Sequence, residues 1–541
     1  MIKRRRSQLP VVLAAVLAVT ATLVTVSGLA QLPDRTRNPN AANEGIAKSF
    51  NDQIGAGRGS QNTPNSSRFI IARDPFRAIR RGRQIFQRKF LRSEGQGPIT
   101  GEGDGKTDIQ TDLIIGAGLA DSCAACHGLP RGSAGFGGDV VTRPDSRNAP
   151  HLFGLGIKEM LADEITDELR DIRRDAIEEA RALRRNVTKT LRTSSRKGSI
   201  RYGTITARPD GSVDTSGVDG VDSDLRVRPF FLHGETMSIR EFLVGAFNAE
   251  MGLEANDPDL RNSEASGGQR VVTPAGMVLD GRVDQIEQPP VNNTSHDADN
   301  DGVVNEIPTS IVDFMEFYLL HYFKPGTGEG SPEATSGRSA FTSLGCAACH
   351  IPDLTIDDDR RVADVDTVFD SARGNPFNRL FATAIPSFTA LNDGTGFPTL
   401  KRPNLGSFVV RNIFTDFKRH DLGPNFHEIN FDGTIRTQFL TMPLWGVGTS
   451  ANYGHDGRSH DLMTVILRHG GEAQQSRDNF ANASAATRRN VIAFLNTLIL
   501  FPPDDTSSTL DTADSTTPGY PQFGHGSIRL GALFNNPNDP E

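Results

Sequence analysis

The chain reads as mainly α, built from two similar helical units in tandem with small β-hairpin insertions. Three observations predict this. Apolar residues recur at helical spacing through several long segments. A cysteine–histidine cluster occurs twice, at 123–127 and at 346–350. A similar lead-in precedes each cluster, Gly82-Arg83-Gln84-Ile85-Phe86 and Gly337-Arg338-Ser339-Ala340-Phe341, which makes a weak internal repeat.

Composition narrows the class. The 541 residues carry a formal net charge of −8, with 36% hydrophobic and 23% charged residues, 54 glycines and 31 prolines. That is a globular chain with long loops, neither a coiled coil nor a polytopic membrane protein. The mild acidity gives no basic footprint for nucleic acid. Four cysteines are too few for a disulfide-built scaffold. At the N-terminus Lys3, Arg4, Arg5 and Arg6 precede a stretch without charge from Ser7 to Pro33. Val11 to Ala30 is mostly Val, Leu and Ala and closes on the small residues Gly28-Leu29-Ala30, so residues 1–30 read as a secretory signal peptide. The alternative is an uncleaved anchor, the only membrane association the sequence predicts. Residues 31–75, rich in Asn, Gly, Ser and Arg, read as a linker or ordered arm.

Both clusters, Cys123-Ala124-Ala125-Cys126-His127 and Cys346-Ala347-Ala348-Cys349-His350, have the C-x-x-C-H pattern of covalent c-type haem attachment. The two thiols add across the haem vinyl groups and the adjacent imidazole ligates iron. A redox C-x-x-C leaves both histidines unexplained, and a shared zinc site would have to join motifs far apart in the chain. Two covalently bound haem c groups are therefore expected, in two cytochrome c-like haem domains in tandem, 76–330 and 331–505. Export agrees, because c-type haem is attached outside the bacterial cytoplasm, and the expected location is periplasmic.

The remaining elements follow in order. Residues 158–192 read as one charged amphipathic helix with an apolar stripe of Ile165, Leu169, Ile172, Ala176, Ala180, Leu183, Val187 and Leu191. Residues 199–214 turn at Arg208-Pro209-Asp210-Gly211 and read as a β-hairpin. Helical spacing returns at 237–249, residues 253–295 are loop-like, and 309–323 form an apolar helix that ends the first unit. In the second unit a short helix runs from Ser459 as N-cap to Arg468, with His469 at its end before Gly470-Gly471. A closing helix is capped by Ser484 and buries Val491, Phe494, Leu495 and Leu498. Residues 506–541 are a polar tail. The run at 103–107 departs from a phosphate loop at Thr100, and Glu102 and Asp104 would repel phosphate.

The segment Phe439-Leu440-Thr441-Met442-Pro443-Leu444-Trp445-Gly446, followed by Tyr453-Gly454-His455-Asp456-Gly457, resembles the corresponding stretch of bacterial dihaem cytochrome c peroxidases and MauG-like enzymes. It is still more similar to the dihaem oxidoreductase branch of that superfamily, through Pro443-Leu444-Trp445-Gly446, His455-Asp456-Gly457-Arg458 and His469-Gly470-Gly471-Glu472. His420-Asp421-Leu422-Gly423-Pro424 and Arg147-Asn148-Ala149-Pro150 add to the likeness. It covers roughly 75–505, with 155–225 and 253–300 divergent.

In those peroxidases a distal methionine of the second haem lies about 14 residues beyond the turn histidine, an offset that lands here on His469. The resemblance thus implies a bis-histidine second haem, His350/His469. Met442 and Met463 are competing ligands, and a helix-end surface histidine is the alternative for His469. The first haem is the implied reaction centre. The reversible distal histidine of many peroxidases falls at Asp139, which implies an iron open to a small oxidant. The family's distal glutamate falls in Asn248-Ala249-Glu250-Met251-Gly252, so Glu250 is the catalytic candidate for moving a proton between peroxide oxygens, against an ordinary helix-end carboxylate. The family's glutamine falls near Phe242 and its inter-haem tryptophan near Phe231 or Leu232. Trp445, the only tryptophan, packs on the second haem or in the core. His233 either approaches the first haem or lies on an exposed loop.

Asp297, Asp299 and Asp301 followed by Gly302 form the front half of an EF-hand-like calcium loop, with Pro308 where the bidentate glutamate would stand. Calcium and a solvated acidic turn are the two readings. The functional expectation is an exported dihaem c-type oxidoreductase of the cytochrome c peroxidase type. It would reduce a small oxidant, H2O2 or O2, at the N-terminal haem with the C-terminal haem as relay. A small redox protein is the expected donor, or a protein the substrate. The alternatives are a dihaem oxygenase, a protein-modifying oxidase and a pure electron-transfer cytochrome.

Overall fold

The computed structural model describes residues 49–97, 120–129, 134–137, 148–264, 267–286, 297, 301–322, 325–328, 330–360, 406–430 and 433–500, with the strands 364–368, 383–387, 390–391 and 399–400. The expected signal peptide 1–30, the run 103–107, Asp139, Arg147, Asp299 and the tail 506–541 lie outside the described residues. Among the described residues no helix is long and apolar enough to cross a membrane.

The expectation of a mainly α fold of two cytochrome c-like units is overturned. The described residues are 40% helical and 15% strand, with several small sheets. Apart from the three-stranded sheet, these are two-stranded antiparallel pairs, mostly two or three residues per strand and too short to give a period-2 signal. Leu354–Ile356 pairs with Phe408–Val410, and Arg419–Asp421 with Gln438–Leu440. The stretch expected to be loop at 253–295 carries the helix Pro258–Asn262 and the strand pair Arg270–Val272 with Val278–Asp280.

The long charged helix also ends early. It spans Leu155–Leu183 and stops at Arg184, in the left-handed region at φ 51°. Val187–Arg192 is a strand instead, pairing with Arg201–Ala207, which in turn pairs with Val213–Asp214. Val187 and Leu191 are both buried, and a spacing of four puts two residues on one face of a helix or of a strand alike. The β-branched Val187, Thr188 and Thr190 favour the pleated choice.

The internal repeat is visible as two helix crossings. In the helix Pro75–Gln87, a side chain at Gly82 would collide with the Phe314 carbonyl and the Tyr318 side chain of the helix Thr309–Leu320. In the helix Pro332–Ser343, one at Gly337 would collide with the Asn490 carbonyl of the helix Ala485–Leu495. Each glycine lets two backbones touch, and Phe86 or Phe341, one turn later, is buried beside the contact. The larger core runs from Ile70 to Tyr322 and draws in Leu354, Ile356, Phe417, Trp445 and Leu500; a smaller one gathers Phe341, Phe414, Leu462, Phe480, Val491 and Phe494. The short helix near the end of the second unit is capped by Asp461, not Ser459, and spans Leu462–Arg468.

One charged node fixes a wall of the larger core. Arg240, fully buried on the helix Ile239–Met251, reaches Asp257 at 2.6 Å, Glu316 at 2.7 Å and Asp313 at 2.9 Å. Burial, helped by the nearby Asp313 and Asp259 carboxylates, drives the Glu316 carboxyl up to about 7 even though Arg240 opposes it. Removing the cation leaves Asp257 and Glu316 buried without it and Asp313 with Arg58 at 3.4 Å. Arg240→Met is expected to cost about 3–5 kcal/mol of stability, read by chemical denaturation of the holoprotein. A loss under about 1 kcal/mol would show that the node is not holding this wall.

Candidate functional site

Each cysteine–histidine motif opens into its own cavity. Cys123–His127 is a single helical turn packed beside the helix Pro75–Gln87 and faces a cavity of about 400 Å³. Cys346–Ala348 is a 3₁₀ turn facing a cavity of about 350 Å³. Both volumes fall in the range of cofactor pockets, and the walls are mainly apolar. None of the four cysteines forms a disulfide. Burial pushes the Cys123 thiol up to about 12 and that of Cys346 to about 11, so neither is a ready thiolate nucleophile.

Three imidazoles are set in the same way. His127 Nδ1 donates to the Pro150 carbonyl at 2.7 Å, His350 Nδ1 to the Phe414 carbonyl at 3.2 Å, and His469 Nδ1 to the Val465 carbonyl at 2.7 Å. A carbonyl can only accept, so each ring keeps its proton on Nδ1 and offers the Nε2 lone pair. Burial lowers the pKa of all three, that of His350 to about 4, with His469 the next largest cause. His350 and His469 line one cavity, the latter placed by the helix Leu462–Arg468 whose Asp461 cap accepts from Thr464 N at 2.7 Å. Met442 lines both cavities; Met463 packs beside the smaller core instead.

The first cavity brings Glu250 into the same wall system as His127. Glu250 sits in the last turn of the helix Ile239–Met251, which starts at a Ser238/Glu241 capping box and ends at Gly252, φ 62°. Phe231, Leu232, His233 and Phe242 line this cavity too. His233 stacks on Phe231 and its Nε2 lies 3.0 Å from Glu235. Trp445 is 5% exposed, lines the second cavity and lends its carbonyl to His151 Nε2 at 2.9 Å.

Sequence reasoning missed a buried ion cluster beside the second motif. His420 Nε2 lies 2.9 Å from Asp416 and Nδ1 lies 2.7 Å from Glu472, with Cys349 adjacent. Burial opposes the charge, but Asp416 first and Cys349 second overcome it and the imidazole is pushed up to about 11. Among the described residues, Cys349, Asp416 and His420 form the one group close enough to hold a metal ion. Both ring nitrogens are already committed to carboxylates, so the cluster is an ion pair bracing the turn. The signal was present in the spacing of Asp416 and His420, but its partner Glu472 is distant in sequence.

The acidic loop is less gathered. Asp297 accepts from the backbone N–H groups of Asp301 at 3.1 Å and Gly302 at 3.0 Å, and Asp301 from that of Val303 at 2.7 Å. Glu306 turns inward and accepts from Glu254 N at 2.6 Å. Asp299 lies outside the described residues.

Each cavity therefore sets two cysteines beside a histidine whose Nε2 is left available. Residues 377–498 match the model of the family described as "Di-haem oxidoreductase, putative peroxidase", which supports a dihaem peroxidase-like family and haem as the cofactor. The matched span begins after both C-x-x-C-H motifs and includes His420, His455 and His469, so it is independent of the cysteines. No curated protein matches the chain. The residues present fit haem by their donor set: two thiols at the vinyl spacing, an Nδ1-anchored imidazole and an apolar cradle in each cavity.

His420 gives a prediction with a definite sign. Its folded pKa is raised above the unfolded value, so its contribution is fully present below about 6.5 and is lost as pH rises toward about 11. His420→Gln is expected to cost about 3 kcal/mol near pH 6. The gap to wild type should narrow steadily in denaturation series at higher pH.

Proposed function

We propose that the chain is an exported dihaem c-type oxidoreductase that reduces a peroxide at the haem of the first motif, with the second haem as electron relay. The observation that carries this reading is the three Nδ1-anchored imidazoles, one facing the first cavity and two facing the second. Cys123 and Cys126 would bind one haem with His127 as ligand; Cys346 and Cys349 the other, with His350 and His469 as its axial pair. With His350 and His469 both holding its iron, the second haem would have no position for an oxidant and would be suited to electron transfer. When bound, haem supplies a one-electron redox iron and, where an axial position stays open, a Lewis-acid seat for oxygen.

The chain's own residues do the rest. The Glu250 carboxylate would take a proton from one peroxide oxygen and return it to the other, so that water leaves as the O–O bond breaks, the two electrons coming by way of the haems from the donor protein. The full reaction consumes one H2O2, two electrons and two protons and yields two waters. Leu155, Phe230, Leu243 and Met315 keep bulk water from the first cavity. Pro150, His151, Leu155, Leu232 and Met442 line both cavities, so the centres are separated by a shared wall. A small redox protein outside the cytoplasm is the electron source.

The purified full chain should gain the mass of two haems. Low-temperature EPR should show one high-spin and one low-spin centre, and His469→Ala should remove the low-spin signal. Two low-spin signals indifferent to peroxide would overturn the reading in favour of an electron carrier. Glu250→Gln should leave these spectra intact and lower peroxide turnover by about 10²–10⁴-fold in stopped-flow assays.

A further inference from the structure

Lys158 lies in the first turn of the long helix Leu155–Leu183 and is 4% exposed. Its side chain lines both cavities, and its Nζ stands 5.5 Å over the ring of Phe230. Among the described residues the ammonium has no hydrogen-bond or ion-pair partner. The other cations in the walls are paired, Arg477 with Asp478 at 2.7 Å and His420 with Asp416 and Glu472. The acids that line the first cavity are Glu235, which faces His233, Glu241, which closes the Ser238 cap, and Glu250, which makes no ion pair with Lys158. A buried ammonium among Leu155, Phe230, Leu232 and Met442 is costly unless an anion meets it. Burial is the sole cause that pushes its pKa down to about 7, with no neighbouring charge to push back.

We propose that Lys158 anchors a propionate carboxylate of the haem held by Cys123, Cys126 and His127. The inference rests on the dihaem reading above. Covalent attachment consumes the vinyl groups of a haem and leaves its two propionates ionised, so a buried haem brings the anion that this cation lacks. Phe230, under the ammonium, lines the first cavity and not the second, which assigns the carboxylate to the first haem. Lys158 is a positioning residue: it orients the macrocycle in its cradle and sets the charge beside the iron. A cation near the iron disfavours the ferric state, so removing it lowers the midpoint potential.

The test uses the full holoprotein. Haem is counted first, by mass and by the pyridine haemochrome; fewer than two overturns the dihaem reading itself. With two haems present, each midpoint is measured by spectroelectrochemistry and the propionate bending band by resonance Raman, for wild type, Lys158→Met and Lys158→Arg. In Lys158→Met the ferric/ferrous equilibrium of the first haem should shift roughly tenfold toward ferric, about 59 mV for one electron, and its propionate band should move. Lys158→Arg should restore the potential while moving the band, because a guanidinium binds a carboxylate in a different geometry. Unchanged midpoints and an unchanged band in Lys158→Met would overturn the proposal, as would a larger shift at the second haem. Should Lys158→Met fail to fold, an unmoved band in Lys158→Arg overturns it equally.

Discussion

An imidazole can offer a metal only the nitrogen that holds no proton. The site described here depends on three backbone carbonyls that decide this for His127, His350 and His469. Much of the nearby structure serves to deliver those carbonyls. Pro150 belongs to a strap tied across the molecule where Asn148 N donates to the His455 carbonyl at 2.8 Å. Phe414, at φ 55°, is locked edge-on between Phe341 and Phe494, the side chains that also join the two helices crossing at Gly337. Val465 lies one turn before His469 on the same short helix, so that imidazole is anchored by the element that presents it. Three different local solutions give one chemical result, which argues that the tautomer is what they have in common.

The parts of this arrangement that were legible in the sequence are those written in short-range chemistry. C-x-x-C-H states its own ligand, and the offset from the Tyr-x-His-Asp-Gly turn led to His469, which the structure brings into the cavity of His350. Helix caps at Ser484 and the helix starting after Ser238 could be read within a few residues. The fold class could not. Its strands are pairs of two or three residues joined over long separations, as where Arg419–Asp421 meets Gln438–Leu440 to seat His420 opposite Phe439. A two-residue alternation carries no periodic signal, and what stabilises such a pair is the core beneath it. The error at Val187 has the same root: a buried residue every fourth position satisfies a helix and a strand equally, and only the left-handed Arg184 settles which follows.

The polar residues of the interior were the least legible, because their meaning lies in their partners. Arg240 reads as one more charge on an amphipathic helix until Asp257, Asp313 and Glu316 arrive from two other segments. His420 reads as a spare ligand until both its nitrogens are found on carboxylates. Lys158 is the opposite case. It shares the first turn of its helix with Leu155 and Ile157 and looks like a surface residue in an apolar stripe, yet it is buried with no counter-charge among the described residues.

That contrast bears on how the two cavities divide their labour. Both are apolar and close in size, and they share a wall, so neither volume nor greasiness sets them apart. What differs is the charge and the ligands facing each motif histidine. Across from His350 stands a second neutral imidazole, with the His420 cation braced by carboxylates behind it. The cavity of His127 instead collects Glu235, Glu241 and Glu250, and Phe230, which lies under the Lys158 ammonium, lines this cavity and not the other. A site lined by acids and one buried base can move protons; a site closed by two imidazoles cannot admit a reactant. If both centres hold haem, proton-coupled chemistry belongs to the first and plain electron exchange to the second. The wall between them is lined on both sides by Met442 and Pro150, so with haem in both cavities it is where an electron would pass from one centre to the other.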